Sequence, residues 1–181
     1  MKCHFFPVYI ISLAGLFATY DKAPTNVNEP CITQTDTLPI ASKLLTLTDA
    51  KKIMGEPAKL TGNTFIKKGD TLEYTCDYTA IAQDAITSKT GKLYFMYEKY
   101  KGAAAAANAY SAIYQGNRGH KGVEVVSGLG NEAYYHSDQT GFYFFLVRKN
   151  EKMIRLKLNK VTSHSSVTEF KAAAKRIVDK L

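Results

Sequence analysis

The chain has 181 residues, a length that suits one domain. Its apolar fraction of 45% and charged fraction of 22% are typical of a soluble globular protein rather than of a fibrous or disordered chain. The net charge of +8 favours anionic surfaces and polyanions as partners, but it carries no information about the fold.

Residues 1–20 have the pattern of a secretory signal. Met1 and Lys2 form a short positive start, and a nearly continuous apolar run extends from Phe5 to Phe17. This run is shorter than the roughly 20 apolar residues of a membrane-spanning helix. We therefore expect an exported protein, located in the periplasm or associated with the cell envelope. The alternative is a buried strand or helix at the N-terminus of the domain.

The end of this segment resembles a bacterial lipobox. Leu16-Phe17-Ala18-Thr19 stand where the residues before the lipid-carrying cysteine would be, and Tyr20 occupies the position of that cysteine. A tyrosine has no sulfur to carry the lipid, so a lipid anchor is in doubt. Two alternatives remain, namely ordinary cleavage and a lipoprotein signal whose cysteine has been replaced.

A polar, turn-rich stretch at residues 21–44 is predicted to be a flexible linker, because it has several prolines and asparagines and no apolar period. If the signal is removed, Cys31 and Cys76 remain as an even pair. In an oxidising compartment these two residues could form a disulfide. The alternative is a free, buried Cys76 and an exposed Cys31.

Residues 45–181 are predicted to form a single α+β domain. Thr48 is placed to cap a short helix that Gly55 ends. Two longer helices are expected at residues 101–116, which are rich in alanine, and at residues 166–181, which have one apolar stripe. Alternating or apolar runs predict about six or seven strands in a largely antiparallel sheet, among them residues 59–66, 72–81, 92–98, 142–148 and 152–160.

The stretch from Val123 to Asp138 contains a glycine-rich bend. Gly128 and Gly130 lie in G-L-G-N-E-A, which matches the dinucleotide-binding pattern G-x-G-x-x-A. That chemistry requires a helix to begin at the motif, whereas the strand-like Tyr134-Tyr135 follows here. We therefore interpret the bend as structural, joining two central strands, and we predict no cofactor.

No catalytic residue and no metal site is predicted. His136 and Asp138 are two residues apart, so both can point to one face of a strand and act as metal ligands or as a general base. His120, Glu124 and Glu132 are near in the sequence, but a metal site needs three or four ligands that converge. The alternative is a pair of surface polar residues at a hairpin.

Four basic residues on adjacent strands form a candidate binding patch: Arg148, Arg155, Lys157 and Lys160. Such a patch would suit an anionic lipid, a polysaccharide or an acidic surface of a partner protein. The alternative is a solvated basic face without a specific ligand. Nucleic acid is not expected as a partner, because the chain is predicted to be exported.

The order of elements, with T-D-A-x-x-I-M-G-E-P at Thr48–Pro57 and G-V-E-V-V-S-G-L-G-N-E-A-Y-Y at Gly122–Tyr135, resembles small bacterial envelope lipoproteins of unknown function. These are similar to the PsbP-like α/β/α sandwiches. The resemblance implies a sheet flanked by helices and a non-catalytic accessory domain that binds a ligand or partner. It brings no catalytic residues.

Two functions are alternatives to this accessory binding role. One is a periplasmic hydrolase with dispersed histidine and carboxylate groups, and the other, if the chain is not exported, is a basic nucleic-acid-binding domain.

Overall fold

The structure, a computed structural model, describes residues 40–181. In this range the chain forms seven strands and four helices, which confirms the α+β prediction. The helices are α1 Ile40–Leu44, α2 Leu47–Met54, α3 Ala103–Asn117 and α4 Val167–Asp179. The strands are β1 Ala58–Lys68, β2 Thr71–Ala80, β3 Lys92–Lys99, β4 Val123–Val125, β5 Glu132–Ser137, β6 Phe142–Lys149 and β7 Lys152–Asn159.

The first two helices differ in detail from the prediction. Helix α2 is capped by Thr46 and not by Thr48, because Asp49 lies three residues after Thr46 and completes a capping box. The Thr46 hydroxyl accepts from the Asp49 N–H (3.2 Å), and the Asp49 carboxylate accepts from the Thr46 N–H (3.0 Å). Helix α1 lies within the stretch predicted as linker. Its Ala41 is fully buried, so the folded domain includes residues 40–44.

All seven strands form one antiparallel sheet in the order β1-β2-β3-β7-β6-β5-β4. Two meanders make up this sheet, one from β1 to β3 and one from β4 to β7. They meet where β3 pairs with β7, and the connection between them contains α3. Each meander follows a helix in the chain, because α2 precedes the first and α3 precedes the second.

One side of the sheet holds the main core. Helices α1 and α2 cover β1, β2 and β3 on this side, and α4 covers β6. Phe170 of α4 is fully buried, and its ring stacks on Phe145 of β6 with centroids 6.0 Å apart. Ile154, Leu156 and Leu158 of β7 also point into this core, as their alternation predicts.

The other side carries a smaller core beneath α3. Tyr110 of α3 packs with Tyr134 of β5, Leu146 of β6 and Met153 of β7. Strand β6 therefore contacts α4 on one side and α3 on the other. This double cover explains why the segment from Phe142 to Val147 is apolar on both faces.

The glycine-rich bend joins β4 to β5, but these are the outermost strands of the second meander and not central strands. The prediction of a central position was therefore wrong, because apolar composition does not distinguish an edge pair covered by a helix from the middle of a sheet. Gly128 and Gly130 adopt φ angles of 71° and 67°, which other residues adopt only with strain. A side chain on Gly130 would also overlap the carbonyl oxygen of Arg148.

Helix α3 covers only part of its side of the sheet, where it contacts β6 and β7. Strands β1, β2 and β3 have their main helix contacts with α1 and α2, which lie on the opposite side. Within residues 40–181, the α3 side of the first meander is therefore left without a helix packed over it. The side chains of this uncovered area are mainly polar, although Ile66 of β1 is also exposed there.

Candidate functional site

The uncovered area carries a row of side chains that crosses the sheet. In the strand register, Asp77 of β2 pairs with Tyr94 of β3, and Tyr94 pairs with Lys157 of β7. Paired residues of neighbouring strands point to the same side of a sheet, so these three side chains stand next to one another. Each of them is partly exposed.

A second row lies beside the first on the same side of the sheet, two residues further along each strand. It consists of Thr79 of β2, Lys92 of β3 and Asn159 of β7. The two rows line a cavity of about 350 Å³, together with Thr61 of β1. This volume is near the lower end of the range of roughly 300–1,000 Å³ that is usual for small-molecule sites. We call the area defined by Asp77, Thr79, Lys92, Tyr94, Lys157 and Asn159 the open face.

Asp77 is held in the cavity by a local irregularity of β1. The register of β1 shifts between Leu60 and Gly62, so Thr61 is an extra residue in the edge strand. Gly62 then lies opposite Asp77, and a Cβ on this glycine would be 2.6 Å from the Asp77 Oδ2 atom. The missing side chain at Gly62 therefore makes room for the Asp77 carboxylate.

Within residues 40–181 the Asp77 carboxylate has no ion pair and accepts no hydrogen bond. The Thr61 hydroxyl donates a hydrogen bond (3.3 Å) to the backbone oxygen of Asp77 and not to its carboxylate. Partial burial raises the pKa of Asp77 above its ordinary value, because the charged form loses hydration. A carboxylate that loses water without gaining a donor is unfavourable for folding. Its presence here points to a role other than stability.

Lys157 is likewise without a carboxylate partner in the described part of the chain, since no Asp or Glu oxygen there lies within 4.0 Å of its amine. The amine instead lies over the ring of Phe142, 5.6 Å from its centroid. A cation over an aromatic face is attracted by the ring quadrupole, yet its remaining donors stay free for a ligand.

Tyr94 stands between these two charged side chains. Burial, helped by the nearby charge of Glu73, raises the pKa of Tyr94 to about 12. Its phenol is therefore protonated at all physiological pH values and can donate a hydrogen bond. The ring also separates Asp77 from Lys157, which are two strand spacings apart, or roughly 10 Å between backbones.

Of the four predicted patch residues, only Lys157 belongs to the open face. Arg148 and Arg155 point to the same side of the sheet, but each is bound by a carboxylate. Arg148 Nε lies 2.5 Å from Glu132 Oε2, and Arg155 Nη2 lies 3.0 Å from Glu98 Oε2. Lys160 is exposed in the turn after β7, with a φ of 57°.

The pairing of Arg155 is part of a buried polar group under the edge of α3. Glu98 is only 5% exposed, and it accepts a hydrogen bond from the Tyr100 hydroxyl (3.0 Å) as well as from Arg155. Burial raises the pKa of Glu98, and the Arg155 charge opposes that rise. Glu73 lies directly opposite Glu98 in the register, but it is also buried and is paired with Lys68 (2.8 Å). These two carboxylates are therefore structural and are not accessible to a substrate.

His136 and Asp138 are not joined into a catalytic pair. The Asp138 carboxylate is occupied by its own turn, where it accepts from the N–H groups of Thr140, Gly141 and Phe142. These hydrogen bonds lower the pKa of Asp138. The His136 ring instead packs edge-on against Phe142, at 4.8 Å, and burial lowers its pKa.

Three further predictions concern metals, cysteines and membrane spans. In residues 40–181 no three His, Cys, Asp or Glu side chains are grouped so as to hold a metal ion. Cys76 has no disulfide partner within residues 40–181; its fully buried sulfur lies 4.0 Å from the Leu45 carbonyl oxygen, and burial raises the pKa of the thiol to about 12. Cys31 lies outside the described residues, so the disulfide stays a prediction. No helix in the described range is long and apolar enough to cross a membrane.

Comparison of the chain with protein families, with curated proteins and with solved structures found no match. Sequence reasoning identified Lys157 and missed its neighbours Asp77 and Tyr94. The alternation in β2 placed Asp77 on the outer side of its strand, but the pairing of β3 with β7, which brings the two charges to one site, has no signal in the sequence.

Proposed function

We propose that this chain is an exported, non-catalytic binding module of the bacterial cell envelope, and that it binds its ligand on the open face. The predicted signal at residues 1–20 supports export, and the resemblance of the element order to small envelope lipoproteins is consistent with this location. Residues 1–39, including Tyr20, lie outside the described range, so export and the doubt about a lipid anchor stay sequence-based expectations.

One observation carries the binding role. The open face presents Asp77 and Lys157, two partly exposed charges without ionic partners in residues 40–181, around Tyr94 in a cavity of about 350 Å³. The arginines beside them are bound to carboxylates, which shows that this sheet can pair its charges where pairing stabilises the fold. Unpaired charges on a rigid sheet are pre-organised for a ligand.

The proposal is tested by co-sedimentation of the purified protein with isolated peptidoglycan sacculi and with vesicles that contain phosphatidylethanolamine and phosphatidylglycerol. The variant is Lys157→Glu, and the matched control is Lys175→Glu, which makes the same charge change on the exposed surface of α4 on the other side of the sheet. We expect sacculi or vesicles to retain the wild type and the Lys175→Glu variant alike, and to retain the Lys157→Glu variant several-fold less.

Equal loss of retention in both variants would show that only net charge matters, and the solvated basic face would then be the better explanation. Failure of both materials to retain the wild-type protein would contradict an envelope-binding role. Circular dichroism of the two variants establishes that each is folded before the comparison is made.

A further inference from the structure

The proposed function leaves the chemical class of the ligand open, and the arrangement of charges on the open face narrows it. Resting on that function, we propose that the open face binds a small zwitterion, with the ligand cation at Asp77 and Tyr94 and the ligand anion at Lys157 and Lys92. The four side chains all line the same cavity.

The separation of the two charges on the open face favours a zwitterion. Asp77 and Lys157 have opposite signs and point to one side of the sheet, yet they do not form an ion pair. Tyr94 stands between them on β3, and two strand spacings put their backbones roughly 10 Å apart. A ligand with a charge of each sign at a similar separation can contact both side chains at once.

Ligands of the other charge classes leave at least one charge of the cavity repelled or unpaired. A ligand with only negative charge would meet Lys157 and Lys92, but it would also be repelled by the Asp77 carboxylate. A ligand with only positive charge would be repelled by the two lysines. A ligand without charged groups would leave the partly buried Asp77 carboxylate without an ionic partner, and covering an unpaired charge is unfavourable. A zwitterion satisfies every charged group that lines the cavity.

Each end of the cavity is built for one of the two ligand charges. At the acidic end, the missing side chain of Gly62 leaves the Asp77 carboxylate in the cavity wall, and the Tyr94 ring beside it can contact an ammonium group through its face. At the basic end, the Lys157 amine lies over Phe142 while Asn159 supplies an amide donor. The volume of about 350 Å³ limits the ligand to a small molecule or to one small group of a larger one.

Zwitterions whose two charges are several bonds apart come from two sources, ω-amino acids and the headgroups of ethanolamine lipids. The two are distinguished by isothermal titration with 6-aminohexanoate, which represents the ω-amino acids, and with glycerophosphoethanolamine, which keeps the phosphodiester and the ammonium group of the headgroup. Hexanoate and hexylamine serve as analogues that keep one charge of 6-aminohexanoate and lack the other. All titrations are made at the same pH and ionic strength, since exposed charges are screened by salt.

We expect at least one zwitterion to bind the wild-type protein about tenfold more tightly than hexanoate or hexylamine. The Asp77→Asn variant should then bind 6-aminohexanoate no better than hexanoate, and the Lys157→Gln variant should bind it no better than hexylamine. Asp70→Asn is the matched control, because Asp70 is an exposed turn residue whose side chain is 71% accessible. It should leave every affinity unchanged.

If neither zwitterion binds the wild type more tightly than hexanoate does, the inference is overturned, because the site then recognises only the anion. If hexylamine binds as tightly as the better zwitterion, the inference is also overturned, because the site then recognises only the cation. If none of the four molecules binds while Lys157→Glu still lowers retention on sacculi or vesicles, the zwitterion class is refuted and the proposed function stands. If Lys157→Glu and Lys175→Glu behave alike in retention, the proposed function itself fails.

Discussion

Replacement of Asp77 by Asn is expected to stabilise the protein while it weakens the binding of a zwitterion to that of its anionic analogue. The carboxylate is partly buried, has no donor within residues 40–181, and has a pKa above its ordinary value because of that burial. An amide of the same shape carries no charge to desolvate. Because the oxygens reach the cavity and are partly hydrated, we discount the full burial penalty and expect a gain of about 0.5–1 kcal/mol in the free energy of unfolding at neutral pH.

The pH dependence of this stabilisation follows from the direction in which folding shifts the pKa of Asp77. Since the pKa of Asp77 is raised in the folded state, the folded protein binds this proton more tightly than the unfolded chain does. The wild type therefore recovers stability as the pH falls through the raised pKa towards the ordinary value of 3.8. The advantage of Asp77→Asn should be complete at pH 7 and should fade as the pH approaches about 4.

Urea unfolding, followed by far-ultraviolet circular dichroism at pH 7 and near pH 4, measures this difference. With a typical m value of about 2 kcal/mol/M, the midpoint should rise by about 0.25–0.5 M at pH 7. The Asp70→Asn control removes only an exposed pair with Lys101 and should change stability by less than about 0.5 kcal/mol. A loss of 1 kcal/mol or more in Asp77→Asn at pH 7 would refute the reasoning, because it would show that the carboxylate has a stabilising partner.

Three other predictions concern the bend, the smaller core and the cysteine. Gly130→Ala combines a positive φ with a backbone overlap, so it should lower the free energy of unfolding in urea by about 2–4 kcal/mol. Gly128→Ala has a positive φ but open space around it and should lower it by about 1 kcal/mol; equal losses would contradict this account. Tyr134→Phe should leave the free energy of unfolding unchanged or raise it slightly, because the buried hydroxyl has no partner in the described residues. Tyr134→Ala should lower it by about 3–5 kcal/mol in the same measurement, whereas a large loss of stability in the Phe variant would show that the hydroxyl has a hydrogen-bond partner. Cys76, with a pKa of about 12, should resist thiol reagents in the native protein at pH 8 and, if free, should react in denatured, unreduced protein. Protection that persists after denaturation until a reductant is added would show that Cys76 is in a disulfide, and peptide mapping would then identify its partner.

The local elements of this fold were largely predictable, because their signals are local. The alternation in β2 and β7 follows from the two-residue period of a strand, and the stripe of α4 follows from the helical period. The capping residue of α2 was misplaced by two positions, since both Thr46 and Thr48 are acceptable caps and only the carboxylate of Asp49 decides between them. Helix α1 was missed because five residues are too few to show a period.

The candidate site was only partly predictable, because it is assembled from three strands that are distant in the chain. Lys157 was identified from its place on the polar side of β7, and Arg155 was grouped with it for the same reason. Residues of β3 make the difference between them. Glu98 forms an ion pair with Arg155, whereas the residue opposite Lys157 is Tyr94, which has no charge to pair with it. Which strand pairs with β7 is a long-range property that no local pattern encodes.

The sequence by itself determined the kinds of elements, their order, and which face of each strand is apolar, because these depend on side-chain periods and on the conformational preferences of single residues. Only the tertiary structure decided that α3 covers one meander and leaves the other bare on the same side, and that Asp77, Tyr94 and Lys157 stand in one row. The physical reason is that strand order and register are set by the burial of whole faces against helices. That burial is a property of the assembled sheet and not of any one segment.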